Sequence, residues 1–163
     1  MTDPLLLVRV LVLLGVANGV PVLATRLFKN RFASPLDGDL QFFDGEPIFG
    51  PSKTIRGVVA SIGVTALVGL ILGFDLAIGA MLAGLSMIGD LFSSFVKRRM
   101  GLTVHAQALG LDQIPEALLP LLVLRENLGL SWEDVALAML AFLLIGLVLS
   151  RVLYRMGIRE HPY

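Results

Sequence analysis

The sequence contains no cysteine and only two histidines, His105 and His161, among its 163 residues. Without cysteine the chain can form neither disulfides nor thiolate metal sites. Two histidines are too few for a His-rich zinc or di-iron centre. Charged residues are also scarce, at 16% of the chain against about 25% in soluble domains.

Apolar residues take their place: 56% of the chain is hydrophobic and its mean hydropathy is +0.83. A bilayer core of about 30 Å needs roughly 20 apolar residues in a helix. We therefore predict an all-α, polytopic integral membrane protein with about five transmembrane helices in a single domain, residues 1–163. The fourth span, which contains Pro115 and Pro120, is short and is expected to be broken or partly re-entrant. The predicted spans are Leu5–Leu23, Val58–Phe74, Leu76–Val96, Ile114–Leu124 with Leu128–Leu130, and Val135–Val152.

The basic residues predict the orientation of these helices. Eleven of the 13 Lys and Arg residues fall in the segment 24–56, directly after the third span, or in the C-terminal tail. The positive-inside rule places these parts in the cytoplasm and the N-terminus outside. We expect a protein of the cell membrane with its polar site facing the cytoplasm.

The segment 24–56 is long for a connection without secondary structure of its own. It carries aromatic residues and turn formers, which predict an ordered cytoplasmic loop between the first two helices. Its last part, from Asp44 to Gly57, is polar and basic and precedes a charge-free span. A polar, basic segment at this position favours an anionic, phosphorylated substrate. Lys53-Thr54 does not form a P-loop, because the spacing is wrong and no strand precedes it.

Asp90 is an acid within a predicted span, and such residues usually face a cavity or a partner. Helical spacing puts Ser94, Lys97 and Arg98 on the same face as Asp90. Carboxylates suit Mg²⁺, and Lys or Arg suits phosphate. In the simpler alternative Asp90 pairs with Lys97 or Arg9, and the basic residues only anchor the helix end.

Asp112 and Gln113 open the fourth span, and Glu116 lies on the same helical face as Asp112. Asp112 is either an ordinary helix cap or a second metal carboxylate opposite Asp90. Asn18, in the first helix, is either a polar residue satisfied near a kink at Pro21 or part of a site.

These residues resemble a known family. Gly89-Asp90, Ser94-Phe95-Val96-Lys97-Arg98 and Asp112-Gln113 are similar to the signature of CTP-dependent phosphatidate cytidylyltransferases. The whole set resembles more closely the small CDP-archaeol synthase family, whose members have about this length and five spans. The further motifs are Asn18-x-x-Pro21, Ser34-Pro35-x-Asp37, Asp44-Gly45, Gly50, and Lys53-Thr54-x-Arg56-Gly57.

The resemblance implies transfer of CMP from CTP to a lipid phosphate of the archaetidic or phosphatidic type, which gives a CDP-lipid and pyrophosphate with Mg²⁺ as cofactor. It implies catalytic roles for Asp90, Asp112 and Lys97, and metal binding by Asp90, Asp112 and Glu116. The implied partners are CTP, the lipid phosphate and membrane lipids, with no nucleic acid; a homodimer stays open. The implied substrate-binding residues are Asn18, Asp44, Lys53, Thr54, Arg56, Ser94, Arg98 and Gln113.

One position departs from the family pattern, which has a further aspartate where this chain has Pro115. Either Glu116 replaces that aspartate, or the site has one ligand fewer, or the chain belongs to a bacterial-type subgroup with another lipid substrate. Two other functions stay open. A small transporter or ion-pathway subunit would place polar groups near mid-membrane and often contain a repeat. A homologue without activity would only bind lipid.

Overall fold

The computed structural model describes residues 3–102 and 110–155. This part of the chain forms five α-helices and no strand; two isolated β-bridges, Pro35 with Thr54 and Gln41 with Pro47, lie in the loop between the first two helices. The helices are α1 (Pro4–Phe28), α2 (Ile55–Ile71), α3 (Leu76–Arg99), α4 (Gln113–Val123) and α5 (Trp132–Arg155).

The all-helical fold and its five helices are confirmed in the described residues, with different boundaries. α1 continues to Phe28 and α3 to Arg99, several residues beyond the predicted spans. These two helices are long and apolar enough to cross a membrane, whereas α2 and α4 are shorter apolar helices. α4 has 11 residues, which is about 16 Å of helix, so it does not include the segment 128–130.

The helices begin where short polar side chains cap them. The carboxylate of Asp3 accepts a hydrogen bond from the N–H of Leu5, and that of Asp75 from Ala77. The Thr54 hydroxyl accepts from the N–H of Gly57 and so fixes the start of α2 directly after Lys53. Each of these bonds satisfies a backbone donor that a helix start leaves unpaired.

α3 is the central helix and packs against α1, α2 and α4, while α5 packs against α4 and α1. The core contains fully buried residues from several helices, among them Leu13, Leu82 and Leu121. Large apolar residues also cover the outside of the helices, as Val59, Ile71 and Val148 do. An apolar exterior of this kind suits lipid rather than water.

Small residues let α3 approach its neighbours closely. A Cβ atom added to Gly79 would lie 2.9 Å from the Cα of Ala66 in α2. At Gly89 the contact is closer: an added Cβ would overlap the carbonyl oxygen of Pro115 and lie 2.7 Å from the Cα of Glu116. Both of these atoms belong to the backbone of α4, so the first turn of α4 rests directly on α3.

We predict that Gly89→Ala lowers the thermal stability and the activity of the protein, because α4 must move away to admit the methyl group. Overpacking of this kind typically costs about 1–3 kcal/mol. Gly84→Ala is the matched control. Gly84 lies on the same helix, and a Cβ atom added there would meet no atom within 4 Å. Unfolding in detergent, followed by fluorescence, measures both variants. Equal melting temperatures for the two variants would contradict the close contact.

Candidate active site

One end of the helix bundle collects charged side chains from three elements. Lys53 lies in the loop directly before α2, and Asp90 lies on the C-terminal half of α3. The Nζ atom of Lys53 donates to both carboxylate oxygens of Asp90 at 2.6 Å. The partner of Asp90 is therefore a loop residue 37 positions away rather than Lys97 or Arg9.

A second ion pair lies beside the first. Lys97, on α3, contacts Asp112 with 2.7 Å between Nζ and Oδ1. Asp112 stands at the cap position of α4, but its side chain makes no capping hydrogen bond. The carboxylate of Asp112 is thus directed to the lysine on α3, and the interpretation of Asp112 as an ordinary helix cap is wrong.

Glu116 joins the two pairs into one cluster. The contact between Gly89 and the backbone of Pro115 and Glu116 brings the first turn of α4 beside Asp90. Glu116 is close enough to interact electrostatically with Asp90, Lys53, Asp112 and Lys97. The cluster, defined as these five residues, combines three acids and two lysines from three elements.

The predicted polar face of α3 is present. Asp90, Ser94, Lys97 and Arg98 occupy one side of the helix, and this side is turned into the protein: Ser94 and Arg98 are buried, and the side chain of Lys97 is only 12% exposed. Charged groups hidden to this degree need partners. Ser94 and Arg98 are thus buried on the same side of α3 that carries Asp90 and Lys97.

Two further predicted residues shape the borders of the cluster. Thr54 is buried and caps α2 next to Lys53. The side-chain oxygen of Gln113 accepts a hydrogen bond from the N–H of Gly110 at 2.9 Å, which closes the turn that leads into α4. In this structure both side chains fix the backbone next to a charged residue of the cluster.

Arg56, Asp44 and Asn18 are not brought into the cluster. The guanidinium of Arg56 donates to the carbonyl oxygens of Lys29 and Arg31 and so binds the chain that leaves α1. Asn18 accepts a hydrogen bond from Ser86 at 3.1 Å and donates to a backbone oxygen in its own helix. Ser86 lies one turn before Asp90 on α3, so Asn18 supports the helix that carries the acid.

Arg99 fastens the loop to α3 and was not singled out from the sequence, where it only continues a basic run. Its Nε lies 2.8 Å from a carboxylate oxygen of Asp44, and its NH2 group donates to the carbonyl of Pro47 at 2.8 Å. The guanidinium also lies 4.8 Å from the ring centre of Phe42 and 4.9 Å from that of Phe95. We call this arrangement the Arg99 clasp.

Asp37, which the sequence offers only as part of a resemblance motif, organises the inside of the same loop. One oxygen accepts from the N–H groups of Phe49 and Gly50, at 2.9 and 3.0 Å, and the other from that of Asp39 at 3.3 Å. Burial acts to raise the pKa of Asp37, but these three N–H groups outweigh it and hold the pKa below its usual value. Lys53 follows Gly50 by three residues, so Asp37 helps to set its position.

Ser93 holds the chain in front of α4. Its hydroxyl is buried on α3 and donates to the carbonyl oxygen of Leu111 at 2.7 Å. Asp112 follows Leu111 directly. The sequence contains no sign of this bond, because it joins two segments whose approach depends on the fold.

The carboxylates of the cluster suit a cation that is also bound by waters and substrate phosphates. Within the described ranges 3–102 and 110–155, no three acidic or histidine side chains converge closely enough to enclose a metal ion by themselves. Asp90 and Asp112 are two carboxylates at one site, and Mg²⁺ is usually held by one or two carboxylates together with waters and substrate phosphates. The residues therefore fit Mg²⁺ bound together with a phosphorylated substrate.

The chain matches the family model of CDP-archaeol synthase over residues 11–163. Two curated relatives carry the same name. The protein from Sulfurisphaera tokodaii is 32% identical over 156 residues, which cover 91% of this chain and 89% of the relative. The protein from Pyrobaculum calidifontis is 42% identical over 117 residues, which cover 66% of this chain and 67% of the relative.

The fold is also similar to that of a solved structure, described as an intramembrane enzyme for archaeal membrane lipids biosynthesis. The two structures superpose with a TM-score of 0.73, and their sequences are 28% identical. The similarity covers 86% of this chain and 90% of the other.

We predict that Asp37→Asn exposes the backbone of the loop at Phe49 and Gly50, because an amide offers only one acceptor oxygen. Charge-assisted hydrogen bonds contribute about 1.5–3 kcal/mol each, so hydrogen exchange in the peptide 45–53 should accelerate by roughly 10- to 150-fold. Asp39→Asn is the control, since the exposed Asp39 takes part only through its backbone.

The same carboxylate gives the loop a pH dependence. Because the pKa of Asp37 is lowered on folding, its stabilisation is complete above the unfolded value of about 4 and is lost as the pH falls through the folded value. Resistance of the loop to proteolysis should fall below pH 4 in the wild type and change less in Asp37→Asn. An identical pH profile in both proteins would contradict this role.

Proposed function

Because the chain belongs to the CDP-archaeol synthase family, we propose that it transfers CMP from CTP to an archaetidic-type lipid phosphate, with release of pyrophosphate. The protein is a CTP-dependent cytidylyltransferase of the membrane that forms a CDP-lipid. The single observation that carries the finer proposal is the cluster, in which the motif residues of the loop, α3 and α4 meet at one end of the bundle.

The reaction needs positioning and charge neutralisation more than it needs a base. An oxygen of the lipid phosphate, already an anion, attacks the α-phosphorus of CTP; the bond to the bridging oxygen breaks and pyrophosphate leaves. Lys53, Lys97 and Arg98 neutralise the phosphates and align the nucleophile with the leaving group. The cluster needs no histidine for this role.

Asp90 and Asp112, with Glu116 beside them, would hold Mg²⁺ against the triphosphate. When bound, the ion would supply positive charge to the phosphate oxygens and orient them. Ser94 lies between Asp90 and Arg98 on the same face of α3 and offers a hydroxyl to the nucleotide.

The charge distribution supports a site that faces the cytoplasm. The basic run at the end of α3 and the basic loop before α2 lie at the same end of the bundle as the cluster. In the orientation that the positive-inside rule favours, this end faces the compartment that contains CTP.

An apolar groove between α4 and α5 suits the lipid tails. It has a volume of about 500 Å³, within the range of small-molecule sites. The contact between α4 and α5 continues from the groove toward the charged end, where a Cβ at Gly146 of α5 would lie 3.8 Å from the Cγ of Gln113. The residues that line it are Leu118, Leu122, Trp132, Val135, Ala136, Met139, Leu140 and Leu143.

The direction of the groove matches a lipid whose phosphate lies at the cluster. Leu118 is two residues beyond Glu116 on α4, and Leu122 is one further turn away from the charged end. Tails that leave the cluster along α4 would therefore run into the apolar interior of the bilayer. The groove is open to the side, so a lipid can enter from the membrane.

We expect the purified protein to convert α-labelled CTP into a labelled CDP-lipid when Mg²⁺ and an unsaturated archaetidic-type phosphate are present. Phosphatidate is tested beside it, because preference between the two lipids decides the substrate class. Asp90→Asn should abolish turnover without changing membrane insertion. Binding of CTP without product from either lipid would indicate another lipid phosphate, and no binding of CTP would indicate a homologue without activity.

Ala136→Trp fills the groove and should raise the KM for the lipid at least several-fold while leaving the KM for CTP unchanged. Ala77→Trp is the matched control, because Ala77 is an exposed alanine of α3 that does not line the groove. Equal effects of both substitutions, or an increase in the KM for CTP alone, would place the tails elsewhere.

A further inference from the structure

In the two ion pairs of the cluster, the carboxylates proposed to bind the cation are paired with the lysines proposed to bind phosphate. Lys53 contacts both oxygens of Asp90 at 2.6 Å, and Lys97 contacts Asp112 at 2.7 Å. The two carboxylates are those proposed to hold the cation, and the two lysines are those proposed to hold phosphate. A cation that binds Asp90 therefore competes with the ammonium group of Lys53 for the same carboxylate.

Resting on the proposed function, we propose that Lys53 and Lys97 exchange their carboxylate partners for phosphate oxygens when a divalent cation and CTP bind, so that each ligand strengthens the binding of the other. The cation takes over Asp90 and Asp112, and the released lysines take over the phosphates. Asp90, Asp112, Lys53 and Lys97 each keep a partner of opposite charge before and after the exchange.

Either ligand alone leaves charges without partners. A cation without CTP would separate both lysines from their acids in a region where the side chains of Lys53 and Lys97 are 21% and 12% exposed. CTP without a cation would draw the lysines away and leave the acids of the cluster without their lysine partners beside the triphosphate. Unpaired charges of this kind are strongly unfavourable when they are shielded from water.

The coupling is reciprocal by thermodynamic linkage: the factor by which CTP raises the affinity for the cation equals the factor by which the cation raises the affinity for CTP. Couplings between two sites commonly amount to roughly 5- to 150-fold. The exchange also predicts how the substitution of each residue changes the affinities for the cation and for CTP. Removal of a lysine frees a carboxylate for the cation, and removal of a carboxylate frees a lysine for the nucleotide.

The test measures binding by the purified protein in detergent, without lipid and without turnover. Mn²⁺ is the probe for the cation and is followed by the electron paramagnetic resonance signal of the free ion. CTP binding is followed by calorimetry in the presence of EDTA. Lys53→Met should bind Mn²⁺ at least several-fold more tightly than the wild type and bind CTP more weakly. Asp90→Asn should do the reverse.

Lys29→Met is the matched control, because Lys29 is an exposed lysine in the same loop and only its backbone oxygen takes part in the contact with Arg56. It should change neither affinity. Lys97→Met and Asp112→Asn repeat the test on the second pair and replace the first variants if those do not fold, as judged by gel filtration and thermal unfolding.

Opposite changes in the two affinities support the exchange, because general damage to the site would weaken both. Unchanged or weaker Mn²⁺ binding by folded Lys53→Met and Lys97→Met would overturn it. If the wild type binds Mn²⁺ and CTP with no mutual effect, the exchange is also wrong, although the proposed function stands. If the wild type does not bind CTP even in the presence of Mn²⁺, the proposed function itself fails.

Discussion

The ion pair between Lys53 and Asp90 joins the loop before α2 to the central helix α3, and the rest of the site is arranged around it. A carboxylate at this depth in an apolar bundle needs a partner, and none of its own helical neighbours supplies it. The loop therefore has to reach across the end of the bundle, and much of its internal bonding serves that purpose. The carboxylate of Asp37 folds the loop, Thr54 fixes where α2 begins, and the Arg99 clasp attaches the turn around Asp44 to α3.

Close backbone contact holds α4 against α3, just as the ion pair holds the loop against α3. α4 has only 11 residues and little surface of its own to hold it in place. Gly89 lets its first turn rest on α3, and Ser93 binds the carbonyl of Leu111 just before that turn. The side chain of Asp112, next to these contacts, makes no capping hydrogen bond, and its carboxylate lies beside Lys97 instead. Packing, rather than the chemistry of the acids themselves, thus brings the acids of α3 and α4 into one cluster.

Much of this arrangement could be predicted from local pattern. Helical spacing alone put Asp90, Ser94, Lys97 and Arg98 on one face, and apolar runs located the five helices. The partner of Asp90 could not be predicted, because Lys53 is 37 residues away and its position depends on the path of a loop without regular structure. Arg56 and Asp44 illustrate the same limit. Both have the residue type of a phosphate or metal contact, yet Arg56 binds carbonyl groups after α1, and Asp44 binds Arg99.

The packing of α3 on three sides fixes its register in a way that a bilayer alone would not. Gly79 meets α2, Ser86 meets α1 and Gly89 meets α4, all within ten positions. One residue inserted between Gly79 and Gly89 would turn the following part of the helix by about 100° and carry Asp90 away from Lys53. Lipid tolerates a helix that is slightly longer or shorter, because tilt accommodates the difference. Adaptation of such a protein to a thicker or thinner membrane is therefore confined to the ends of its helices.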